Sequence, residues 1–121
     1  IDAEGYDITV GATPPDPNVH LAYLNAFGDD PVVWSAASPM NHIAAGKGIP
    51  SYFVAARGTD MRLDLHAEFV AALRAEEVPV TVVDARSLDH GEVASDIGTP
   101  GDTVVTPALM EFLDTCFAET G

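Results

Sequence analysis

The chain reads as an α/β domain in which parallel strands are flanked by helices, and two observations predict this. Tyr52-Phe53-Val54-Ala55-Ala56 and the run Val78 to Val83 are short, apolar and almost uninterrupted, as strands are when helices cover both faces of their sheet. Between them, Leu65, Phe69 and Leu73, with Ala72 beside them, recur at helical spacing, which predicts an amphipathic helix over Asp64 to Glu76. A strand, a helix and a strand at this spacing imply parallel pairing through a right-handed crossover.

The flanking elements follow from local signals. Tyr6 to Val10 alternates as a short strand does, and Gly11 to Pro17, with three prolines, reads as a loop. Asp16-Pro17 is a helix start, an N-cap followed by proline at the first helical position, and Gly28 is its stop. Asp30-Pro31 repeats the start signal for a second helix through Ala36. Ser38-Pro39 opens a short turn through Ile43, and Gly46 and Gly48 make a flexible approach to Pro50. After the second strand comes a loop holding His90, then a short helix ending near Gly98. Thr106-Pro107 then caps a final helix that places Leu109, Met110, Leu113, Cys116 and Phe117 on one side. No internal repeat or low-complexity tract interrupts the pattern.

Composition bounds the function. With 121 residues and 47% hydrophobic side chains, the chain has the size and apolar content of one globular domain. Nineteen acidic residues against five basic ones give a net charge of -14, which repels nucleic-acid backbones and anionic membrane surfaces. No stretch reaches the roughly 18 consecutive apolar residues of a membrane span, and no basic start leads into an apolar signal segment. Cys116 is the one cysteine, so an intrachain disulfide is excluded, and its place in an apolar helix favours packing over reactivity. The localisation is left open, with the cytoplasm favoured over secretion. Ile1 in place of methionine fits a processed or partial chain.

Two side chains stand where open α/β sheets keep their sites, in the loops after the carboxyl ends of parallel strands. Asp60 follows the first apolar run and its closing Arg57-Gly58, and His90 follows the second. An acid can orient a histidine and stabilise its charged form, while the histidine moves a proton to and from a nucleophile. The plainer alternatives are a capping aspartate and a solvated loop histidine. His20, His42 and His66 lack the spacing of a metal site and read as structural or solvated. Tyr23, Phe27 and Trp34 suit either a core or an apolar pocket. Gly46-Lys47-Gly48 lacks the rest of a phosphate loop.

Several stretches together resemble a known family: Ala37-Ser38-Pro39, Ile49-Pro50 leading into the first strand, Asp60-Met61-Arg62-Leu63-Asp64, Leu73-Arg74-Ala75 before Val78-Pro79-Val80, and His90-Gly91. The chain from about Pro31 onward is similar to the carboxyl-terminal half of an α/β-hydrolase serine esterase. The similarity is to the hormone-sensitive-lipase-like and feruloyl-esterase-like branches, which include kynurenine formamidase relatives. The resemblance implies Asp60 as the triad acid and His90 as the triad base. It also implies a cap-like helical segment over about 12–45 and a partial hydrolase domain over 50–121 that carries both residues. Members of these families usually leave two residues between the strand-end glycine and the aspartate. Here only Thr59 separates Gly58 from Asp60, so Asp64 is the alternative acid, or else the N-cap of the following helix.

The order acid, then histidine, fits the second and third triad positions of such enzymes, while the Gly-x-Ser-x-Gly turn of the nucleophile occurs nowhere in the sequence. The expectation is therefore a serine-dependent carboxylic-ester hydrolase acting through an acyl-enzyme. This chain would supply acid and histidine, and a missing amino-terminal segment or a second chain would supply the serine. No metal or organic cofactor is implied, and the implied partner is a small-molecule ester. The alternative from another class is a non-catalytic interaction domain derived from the same fold. Two strands alone leave apolar edges to cover, so the sequence also predicts packing against another segment.

Overall fold

The computed structural model describes residues 6–12 and 17–120. It is a mixed α/β structure built on a two-stranded parallel sheet. In chain order the elements are α1 (Ile8–Ala12), α2 (Pro17–Phe27), α3 (Pro31–Ala37), a 3-10 turn (Pro39–His42), β1 (Tyr52–Ala56), α4 (Asp60–Ala75), β2 (Val80–Asp84), α5 (His90–Asp96) and α6 (Thr106–Thr120).

The first segment departs from its alternating pattern. Tyr6 to Val10 is not a strand: Ile8–Ala12 is a helical turn. Two side chains outbid strand pairing there. The Asp7 carboxylate accepts the Thr9 N–H at 3.0 Å, and the buried Ser38 hydroxyl accepts the Ile8 N–H at 2.8 Å. The expected loop from Gly11 to Pro17 is helical as far as Ala12, while residues 13–16, including the Asp16 cap, lie outside the described residues. The next helix stops where glycine predicts, with Gly28 at φ 73° donating its N–H to the Leu24 carbonyl at 2.8 Å. Asp30 caps α3 by accepting the Val32 N–H at 2.9 Å, with Pro31 at the first position.

Strands β1 and β2 pair in parallel with Tyr52 opposite Val80 and Ala56 opposite Asp84. Alternation then splits the core into two layers. Tyr52 and Val80 face α4, where Tyr6, Phe69, Leu73 and Val78 form one cluster. Phe53, Ala55 and Val83 face the other side, against Val93, Val104 and Val105. The centre of β1 is closed off, with Val54 at 0% and Ala55 at 2% exposure, so the chain covers that strand itself. Openness of the kind expected of a two-stranded sheet shows at β2, where Val82 is 42% exposed. Arg74 reaches over from α4 and donates to the Val80 carbonyl at 3.1 Å, satisfying an acceptor at the first residue of β2.

Helix α4 begins four residues before the sequence pattern predicts. Thr59 is its N-cap, its hydroxyl accepting the Arg62 N–H at 3.3 Å and its carbonyl the Leu63 N–H at 2.9 Å. Asp64 is accordingly interior to the helix and does not cap it. The far end closes without glycine: Glu77 takes a left-handed φ of 61°, the Val78 N–H bonds the Leu73 carbonyl at 3.0 Å, and the Glu77 N–H bonds Arg74 at 3.1 Å. This is a Schellman closure, and Val78 and Leu73 supply its hydrophobic contact within one cluster.

The last helix buries a narrower stripe than its pattern predicts. Leu109, Leu113 and Cys116 are half-buried, and Phe112 lies with its ring centroid 5.5 Å from that of Phe53. Met110 and Phe117 instead face solvent at 54% and 70% exposure. A helix laid on a sheet only two strands wide contacts it along one side, so residues at the margin of the stripe stay wet.

Candidate functional site at the carboxyl end of the sheet

Asp60 and His90 occupy equivalent places. Each is the first residue of a helix that follows the carboxyl end of its strand, Asp60 after β1 and His90 after β2. Because the strands are neighbouring and parallel, both loops leave the sheet at the same end. Both side chains are exposed, and among the described residues no hydrogen bond joins one to the other. Asp64, the alternative acid, is also exposed and lies a turn further along α4.

Tight local chemistry fixes the backbone of each loop. After β1, Gly58 adopts φ 101°, a backbone conformation that residues with a Cβ rarely take, so this turn into α4 favours glycine. After β2, the Asp84 carboxylate accepts from Arg86 Nε at 2.8 Å, Nη2 at 2.6 Å and the backbone N–H at 3.1 Å. The Arg86 guanidinium, through these hydrogen bonds above all, holds Asp84 down at about 2. His90 then starts α5 inside a full capping box: Asp89 accepts the Glu92 N–H at 2.7 Å, and Glu92 accepts the Asp89 N–H at 3.0 Å. The expected loop position of His90 is thus the first turn of a helix.

Beside His90 lies an apolar cavity of 520 Å³, walled by Phe53 and Ala55 of β1, Val93 of α5, Ile97 just after it, Val105, and Leu109 of α6. This is within the size range of small-molecule pockets, and His90 and Tyr52 are the titratable residues on its wall. Asp60 is not on its wall.

Of the other candidates, the His20 side chain lies outside those described, and the rest make local contacts. His66 is 2% exposed and packs edge-on to Tyr6, with ring centroids 5.5 Å apart. Trp34 donates its indole N–H to the Gly28 carbonyl at 2.8 Å, and Tyr23 lies 6.1 Å from Phe27; none of the three walls the cavity. His42 belongs to the 3-10 turn, with its ring Nε2 against the Ala36 carbonyl. Lys47 donates to the His42 carbonyl at 2.7 Å. Ser38 is a buried tie between α1 and α3, its hydroxyl donating to the Trp34 carbonyl at 2.7 Å while accepting the Ile8 N–H.

Sequence reasoning missed Asp102. Its carboxylate accepts from the Thr106 hydroxyl at 2.6 Å and from the backbone N–H groups of Val104 at 2.9 Å, Val105 at 3.2 Å and Thr106 at 2.8 Å. These bonds, that of the Thr106 hydroxyl foremost, hold its pKa at about 2. An acid four residues ahead of Thr106-Pro107 was the available signal, and Asp102 rather than Thr106 does the capping.

Among the described residues no cluster of three or more His, Cys, Asp or Glu side chains could hold a metal ion, and no helix is long and apolar enough to cross a membrane. Comparison with known proteins finds no matching family model, no matching curated protein and no matching solved structure.

Proposed function

We propose that a polypeptide carrying this chain is a serine-dependent carboxylic-ester hydrolase of α/β-hydrolase type, with Asp60 as the acid and His90 as the base. The observation that carries the reading is the paired placement of these two residues, each opening the helix after one of two neighbouring parallel strands. The apolar cavity beside His90 adds support, since it offers room for the hydrocarbon part of an ester. In this reading His90 takes the proton of a serine supplied from outside these residues and returns it to the leaving alcohol. Asp60 orients the imidazole and stabilises its charged form.

The test is labelling with a serine-reactive fluorophosphonate on intact polypeptide that contains this chain. The expected result is one labelled serine, with hydrolysis of short p-nitrophenyl esters lowered by about three orders of magnitude or more in His90→Ala. Intact material that takes no label and hydrolyses no ester overturns the proposal and favours an interaction domain.

A further inference from the structure

Asp60 and His90 are both exposed and each opens a helix, so their separation depends on the loops that carry those helix starts. The loops share the last rung of the ladder, the Ala85 N–H donating to the Ala56 carbonyl at 2.9 Å. Beyond that rung the chain diverges toward two separate N-caps, Thr59 and Asp89. Arg57 crosses this gap. It is the first residue after β1, is half-buried, and its Nε donates to the Leu88 carbonyl at 3.1 Å. Leu88 is itself anchored, its N–H on the Ala85 carbonyl at 3.0 Å and its side chain against the cluster of Ala55, Ala85, Val93 and Val105.

We propose that Arg57 is a positioning residue that sets the distance between the Asp60 loop and the His90 loop through its hydrogen bond to Leu88. The inference rests on the reading of Asp60 and His90 as a working pair. Arg57 stands three residues before Asp60 and Leu88 two before His90, so a displacement at either end of the bond moves a catalytic group directly. Proton transfer and its electrostatic support tolerate misplacement of only a fraction of an ångström. A guanidinium suits the task, because its planar N–H donors aim at a carbonyl with little residual freedom.

The test follows the His90 imidazole by NMR titration of the full chain, in the wild type and in Asp60→Asn, Arg57→Ala, Arg57→Gln and Arg57→Lys. Asp60→Asn is expected to lower the titration midpoint, because a nearby carboxylate favours the imidazolium. The acidic residues that flank His90 in sequence, Asp89 and Glu92, are unchanged throughout. Arg57→Ala is expected to lower the midpoint by at least half of the Asp60→Asn drop, with Arg57→Lys restoring most of it. The sign is diagnostic: simple loss of a positive charge would raise the midpoint, whereas a greater distance from the Asp60 carboxylate lowers it. Arg57→Gln, shorter and neutral, is expected to give the same fall and serves where the alanine variant fails to fold. A drop in Asp60→Asn with none in the Arg57 variants, even with a lowered Tm, overturns the positioning role and leaves the pair standing. No drop in Asp60→Asn overturns both.

Discussion

The carboxylate of Asp102 and the hydroxyl of Thr106 are 2.6 Å apart, and the same hydroxyl accepts the Gly98 N–H at 2.9 Å. One acid thus ties the loop after α5 to the first turn of α6, and Val105 just before that helix and Leu109 within it wall the cavity beside His90.

Asp102 makes stability depend on pH with a definite sign. Its folded pKa of about 2 lies below the ordinary aspartate value of 3.8, so it contributes stability above the unfolded value and loses it as pH falls from about 4 to about 2. Asp102→Ala is expected to lower Tm at pH 7, and the gap from wild type is expected to close by pH 2. Paired thermal melts across that range check it; a gap that persists at pH 2 means that the loss comes from packing.

Ser38→Ala removes a hydroxyl that is wholly buried and bonded on both sides. It leaves the Ile8 N–H without this acceptor, and the expected cost is about 1–3 kcal/mol by urea denaturation. Hydrogen exchange is expected to show lost protection at the Ile8 amide before any change in β1.

Glu77→Gly is expected to stabilise. A non-glycine residue at φ 61° pays a steric cost that glycine escapes, offset in part by the looser unfolded chain, for a net gain of about 0.5–1 kcal/mol. The variant also removes one negative charge from a chain of net charge -14, so comparison with Glu77→Gln at matched salt separates backbone from charge. Equal stabilisation by both variants would assign the effect to charge.

Tyr6→Ala is expected to be the most damaging of these changes. The ring is 3% exposed and stacks on Phe69 with centroids 4.1 Å apart, in the cluster with Leu73 and Val78. Loss of a buried aromatic ring costs about 3 kcal/mol or more. A midpoint of urea unfolding close to that of wild type would mean that the segment before α1 contributes little to the core.

Much of this architecture is legible in residues that carry their own local physics. Asp30-Pro31 and Gly28 set helix ends because a carboxylate, a fixed φ and a missing Cβ act on their own backbone neighbours. Tyr52–Ala56 and Val80–Asp84 are strands where apolar, β-branched runs predict them, and the helical spacing of Leu65, Phe69 and Leu73 marks the buried side of α4. The order of strand, Asp60, helix, strand and His90 was likewise visible, which is why both residues emerge at one end of the sheet. What the tertiary structure decided depends on partners distant in sequence. Tyr6 to Val10 alternates like a strand yet turns helical, because Ser38, thirty residues beyond Ile8, supplies an acceptor for its N–H. The Arg57 link to Leu88 spans 31 positions, and no local pattern announces it. Local sequence sets which backbone shapes are cheap, while burial and long-range hydrogen bonds choose among shapes of similar cost, and at 121 residues those choices fall at the chain start, the loops and the margin of the last helix.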